Sequence, residues 1–222
     1  MSDLVRILPL LMQGAAVTLL LLACSLAVGF VLGIPIGVLH VFGPGPVRWG
    51  LRGFDLVMRG FPAIVLLFLI YFGLGGIQGV DLSSLQAAVL ALGLRSAAYQ
   101  GQLVRGTIGM VEQGQLEAAR ALGMSLPTAL RSVVLPQALR HALPSLGNEY
   151  SIVLKDTALA FTVGVLEMMS RAQFLAMSTR KITLVYIAVA VIYWGLTQAG
   201  LLGFHAIERG VRVPGMGTGD NP

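Results

Sequence analysis

Residues 117 to 136 read Glu117-Ala118-Ala119-Arg120-Ala121-Leu122-Gly123-Met124-Ser125-Leu126-Pro127-Thr128-Ala129-Leu130-Arg131-Ser132-Val133-Val134-Leu135-Pro136. The stretch is built of local structural signals. Gly114 to Leu122 predicts a helix carrying the small residues Ala118, Ala119 and Ala121, with Gly123 as its C-terminal stop. Ser125 is placed to cap a second helix, and Pro127 suits its first turn. That second helix runs through Ala129 and Arg131 towards Leu135, where Pro136 is expected to interrupt it. Two short helices at an angle, joined by a compact corner at Gly123, follow from the pattern. The stretch belongs to a longer connection, 105–145, with apolar segments on both sides.

Those flanks set the fold class. The chain has 222 residues, 56% hydrophobic and only 11% charged, with mean hydropathy +0.83. A water-facing domain carries about 25% charged residues, so this is an integral membrane chain, expected to form one all-α unit over residues 1–210. The net charge of +5 has a membrane explanation, because Lys and Arg accumulate in cytoplasmic loops. No aromatic-basic patch accompanies it, and no nucleic-acid partner is expected. Cys24, the single cysteine, can form no disulfide within the chain.

A membrane helix needs about 20 apolar residues. Ile7 to Leu39, Gly60 to Val80 and Ile182 to Ile207 meet this without a charge. Leu82 to Val104, with Arg95, and Leu146 to Leu166, with Glu149, Lys155 and Asp156, are long and apolar enough to join them, giving five transmembrane helices. An odd number puts the termini on opposite sides. With the C-terminus inside, Arg48, Arg52, Arg59, Arg105, Arg120, Arg131, Arg140, Arg209 and Arg212 are cytoplasmic, and only Arg6, Arg171, Arg180 and Lys181 lie outside. Positive charge favours the cytoplasm, so the N-terminus is expected outside, the C-terminus cytoplasmic, and the 105–145 loop on the cytoplasmic side.

Met1 to Gln13 lacks the features of a signal peptide and is expected to be an interfacial helix. Gly29, Gly33 and Gly37 recur every four residues and predict close approach of another helix. Pro35 is expected to loosen the helix locally. The Gly-rich tail, 211–222, is expected to be disordered.

Glu117-Ala118-Ala119, three residues, Gly123, nine residues and Val133-Val134-Leu135-Pro136 resemble the EAA loop of ATP-binding-cassette (ABC) importer permeases, with Val133 in place of Ile. Arg59-Gly60-Phe61-Pro62 with Leu67 to Gly73, Ser96-Ala97-Ala98-Tyr99 through Arg105-Gly106, and Asn148-Glu149-Tyr150 with Leu154 to Leu159 are similar to the polar amino-acid branch of that family. Phe61 stands where that branch commonly has Thr. The resemblance covers roughly residues 14–208 and implies a type I importer fold and a bacterial or archaeal inner-membrane location. It implies as partners two ATP-binding subunits, a second permease chain, an extracellular substrate-binding protein and a polar amino acid. It also implies that Gly123, Met124, Ser125 and Leu126 form the tip docking on the ATPase, supported by Glu117, Ala118, Ala119 and Arg120 and bounded by Pro136. ATP and Mg are then bound by the partners, and the chain itself holds no cofactor.

An ionisable group inside a span costs at least about 2.5–3.5 kcal/mol and usually faces a cavity or a partner. Glu149 and Asp156, seven residues apart, share a helix face. They could hold a substrate ammonium while Arg95 or Ser96 meets its carboxylate, with Tyr99 and Phe61 nearby. Alternatively, Lys155 or Arg95 neutralises these acids in structural pairs. No His-Glu-x-x-His, Gly-x-Ser-x-Gly or phosphate-loop pattern occurs, so the chain is expected to be no enzyme. An intramembrane hydrolase using Ser96 or His141, and a passive scaffold, are the rival readings.

Overall fold

The computed structural model describes residues 2–75, 77 and 81–211; these are helical wherever regular structure occurs. Helix α1 (Ser2–Phe42) is continuous through both Pro9 and Pro35. Residues 2–13 are therefore its first turns rather than a separate interfacial helix. Ile7, Leu11 and Ala15 repeat every four residues, forming an apolar stripe, and are buried against Met168, Ala172, Val185 and Val189.

Helix α4 (Ser84–Ile108) starts at a capping box in which the Ser83 hydroxyl and the Gln86 side chain exchange bonds with each other's backbone. It lies directly on α1. A Cβ at Gly29 would stand 2.5 Å from Gln100 Nε2, one at Gly33 2.8 Å from Gln100 Cβ, and one at Gly37 2.6 Å from Val104 Cβ. The glycine row thus faces Ser96, Gln100 and Val104, a matching four-residue row on α4 running in the same direction. The missing side chains let the two backbones approach closely, and the van der Waals contact this allows holds the pair together.

The apolar run beginning at Gly60 is not one straight helix. Helix α2 (Gly45–Gly60) ends at extended Phe61 and Pro62, and α3 (Ala63–Phe68) continues as π-helix over Leu69–Leu74. The two axes are bent by 108°. Pro62 explains the break, because it removes a donor and forces Phe61 out of the helical region. Part of the expected end of this run, residues 76 and 78–80, lies outside the described residues. By length and composition, the segment of α1 from Ile7 and helix α9 (Ile182–Val211) can each cross a membrane, and the bent α2–α3 pair makes a third.

Helix α5 (Gln113–Ala121) precedes α6 (Leu126–Ala129), a π-helical turn (Leu130–Val134) and α7 (Leu135–Asp156). Pro136 does not interrupt the second loop helix as expected. It sits in the first turn of α7, where proline is tolerated, and the wider π turn before it absorbs the lost donor. The Gln137 side-chain amide donates to the Val133 carbonyl, 2.9 Å. The expected span from Leu146 to Leu166 is also divided. α7 stops at Asp156, a 3-10 segment follows over Thr157–Val163, and Gly164 ends it at φ +90°. Helix α8 (Met168–Thr179) then leads to α9. Most of the expected disordered tail, 212–222, lies outside the described residues; Val211 closes α9.

Candidate functional site

The polar interior is assembled where α1, α4 and α7 meet. Glu149 is 3% exposed, and its Oε1 accepts from the Ser96 hydroxyl at 2.7 Å. Gln100 Nε2 in turn donates to Ser96 Oγ at 3.0 Å. Gly29 lies against this pair, so α1 closes the side of the site that a larger residue would fill. No cation stands within salt-bridge distance of Glu149 among the described residues. An acid in such a position is costly unless a partner arrives.

Beside it, Arg95 Nη1 pairs with Asp156 Oδ2 at 2.6 Å. Of the arrangements open from sequence, this pair is the one formed; Lys155 is exposed and makes no ion pair among the described residues. Arg95 Nε remains buried without a hydrogen-bond partner. The Arg95 guanidinium also lies 4.9 Å from the centre of the Tyr99 ring, and Arg59 lies 5.0 Å from the same ring, both within cation–π range. Glu149, Asp156, Arg95, Ser96 and Tyr99 are thus brought together. Phe61 is 46% exposed and makes no ring contact with these groups among the described residues. Ser96 is engaged by Glu149 and Gln100, and no histidine bonds it among the described residues.

Several polar residues were not foreseen. Asp55 Oδ2 meets His40 Nε2 at 2.8 Å and accepts from Gln102 Nε2 at 2.6 Å, joining α1, α2 and α4. Glu167, fully buried, caps α8 by accepting from the Ser170 amide at 2.8 Å and also accepts from the Thr18 and Tyr193 hydroxyls at 3.2 Å each. Glutamate is not among the residue types that favour a helix cap, so no local signal marked Glu167. Nothing local could have paired Asp55 with residues of two other helices.

In the 105–145 loop, α5 ends in paired bonds: Met124 N–H donates to the Ala119 carbonyl and Gly123 N–H to the Arg120 carbonyl, 3.1 and 3.0 Å. This is the reciprocal C-terminal pattern that needs a left-handed residue, and Gly123 has φ +83°. Arg120 Nη1 bonds the Met124 carbonyl at 3.1 Å. The Ser125 hydroxyl accepts from Thr128 N–H at 3.4 Å, capping α6 as expected. Glu117 lies in mid-helix and is exposed. Ala119 is buried while Ala118 is exposed, and Leu126 packs, half-buried, against the apolar cluster that contains Ile108, Leu130 and Val134. The exposed apolar residue at the corner is Leu122, 81% exposed, which sequence reasoning did not single out.

The chain is 36% identical over 210 residues to the L-cystine transport system permease protein TcyL of Bacillus subtilis (strain 168), covering 92% of this chain and 88% of that one. It is 31% identical to the arginine transport system permease protein ArtQ of the same organism, over 90% and 92% of the two chains. The crystal structure of an amino acid ABC transporter with histidines superposes with a TM-score of 0.82 at 33% identity, covering 93% of this chain and 96% of that chain. That likeness gives the fold as the type I ABC permease fold. Residues 29–213 match the model of the family described as binding-protein-dependent transport system inner membrane component, and the chain belongs to that family.

Proposed function

We propose that this chain forms the translocation pathway for a polar amino acid in an ATP-driven importer. The observation that carries the reading is Glu149, a buried carboxylate with a hydroxyl partner but no cation, set beside the Arg95–Asp156 pair. A zwitterion offers an ammonium to Glu149 and a carboxylate to Arg95. Entry of that carboxylate would loosen the Arg95–Asp156 pair and free Asp156 as a second acid for the solute. Relatives named for L-cystine and arginine transport carry substrates with both charges, which supports this class.

The reading uses five spans within a single membrane domain, 1–210, with the N-terminus outside and the C-terminus cytoplasmic. It rests on the arginine distribution, which keeps α2, with Arg48, Arg52 and Arg59, on the cytoplasmic side and begins the second span after the break at Phe61 and Pro62. A second permease chain completes the pathway, two ATPase subunits bind ATP and Mg, and a binding protein delivers the solute outside. The α5–α6 corner is the element that receives force from the ATPase: Gly123 and Ser125 hold its shape, and Leu122 offers an apolar knob to a groove. Glu117, Ala118 and Arg120 are exposed on α5 beside it. ATP binding biases the assembly towards an outward-facing state and hydrolysis resets it, which is alternating access by population shift.

The test is ligand-stimulated ATP hydrolysis by the complete complex across the amino acids. Stimulation by a polar amino acid, reduced at least tenfold in Glu149→Gln, is expected. Stimulation by none, or an unchanged response in the variant, contradicts the reading.

A further inference from the structure

Helix α2 carries Arg48, Arg52, Asp55 and Arg59 at i, i+4, i+7 and i+11, a single polar stripe. Helix α4 carries a second: Arg95, Tyr99, Gln102 and Arg105. The stripes run antiparallel and meet at two levels, Asp55 on Gln102 at 2.6 Å and Arg59 over Tyr99 at 5.0 Å. Between them lies an open groove of about 470 Å³, lined by Arg52, Asp55, Arg59, Tyr99, Gln102 and Arg105.

Its charge is unbalanced. Asp55 is the one acid in the lining, and its Oδ2 is already taken by His40 and Gln102. Arg52 and Arg59 have no carboxylate partner among the described residues, and Arg105 bonds only the Gln102 side-chain oxygen, 3.3 Å. Three guanidinium groups therefore face one carboxylate, whose Oδ2 is engaged and whose Oδ1 is buried without a hydrogen-bond partner. The groove borders the interior site: the Tyr99 ring is shared by Arg59 and by Arg95, which holds Asp156. From Tyr99 it follows α4 towards Arg105, the end that leads into the 105–145 loop.

We infer that the groove is a second, exit-side subsite that takes the α-carboxylate of the amino acid after it leaves Glu149 and Arg95. Planar guanidinium forks suit a carboxylate. An anionic lipid headgroup carries similar charge, but the Tyr99 link to the interior pair favours the transported solute. The inference rests on the proposed function.

The test uses the complete complex, with ATPase and binding-protein partners, in vesicles of phosphatidylcholine with or without one-third phosphatidylglycerol. ATP-driven uptake of L-arginine, L-histidine and L-cystine is measured while the same amino acid, or its decarboxylated counterpart (agmatine, histamine or cystamine), is supplied on the ATP side. In wild type, the transported amino acid should inhibit at least tenfold more strongly than its amine. In R52Q/R59Q the ratio should fall below threefold. Arg59→Lys should keep most of it, and Arg48→Gln, outside the groove, all of it. An R52Q/R59Q variant that still takes up solute and discriminates like wild type overturns the subsite. So does a wild type that the amino acid does not inhibit, or an effect of the arginines seen only with phosphatidylglycerol, which assigns the groove to lipid. Absence of uptake of all three probes by wild type instead removes the proposed function, and this site with it.

Discussion

The α5–α6 corner and the α1–α4–α7 interior solve opposite problems. The corner is made from consecutive residues, is largely open to water, and its shape depends on one left-handed glycine and one cap. The interior joins residues far apart in sequence, Gly29 with Ser96 and Ser96 with Glu149, and excludes nearly all solvent. In the proposed function a partner protein pushes on the corner, whose surface is exposed, and a solute is held in the interior, where unpaired charge is costly. Damage to the first should disturb transmission, and damage to the second should disturb folding and recognition.

The largest effect is expected at the α1–α4 contact. Gly33→Leu forces a side chain where Gln100 Cβ and the Ala97 carbonyl stand 2.8 and 3.1 Å from the new Cβ. Overpacking costs about 1–3 kcal/mol or more, so the melting temperature of the purified protein should fall sharply. The same change at Gly106, where a Cβ meets nothing within 4 Å, should leave it nearly unaltered. Equal losses at the two positions would break the distinction between interior and periphery.

Next comes the ion pair. Arg95→Gln and Asp156→Asn each strand a partly buried charge, whereas the double substitution strands none. Thermal melting of all four proteins should show each single variant less stable than the double. Additive losses would mean that the pair contributes nothing as a pair.

Gly123→Val must hold a β-branched residue at φ +83°, at a cost of about 1–2 kcal/mol. The strain stays within the corner, so amino-acid binding by the interior should be unchanged by calorimetry. A weakened binding constant would join the regions that the structure separates. The smallest effect is expected for Ser125→Ala, which removes the cap of α6 at about 1 kcal/mol. It should raise hydrogen exchange around Leu126–Ala129 and nowhere in α4 or α7.

The same contrast explains what could be read from sequence. The corner was legible because Gly123, Ser125 and Pro127 act on their immediate neighbours, and the glycine row because a four-residue spacing fixes a helix face. The interior partners were not: His40 meets Asp55, and Thr18 meets Glu167 across 149 residues, contacts set by packing rather than periodicity. Lys155, Asp156 and Thr157 break an otherwise apolar run, but they read equally as charges within a longer span, so the end of α7 was not legible from hydropathy. At Pro136 a local rule misled, since a π turn let the helix restart where a stop was expected.

The measurement that tests the account most directly is the number of amino acids accumulated per ATP hydrolysed by the complete complex, wild type against Gly123→Val. The account predicts that the variant still hydrolyses ATP while its uptake collapses, so the ratio falls at least tenfold. A variant whose uptake and ratio both match wild type would contradict the assignment of the α5–α6 corner as the element that transmits the work of ATP to the spans.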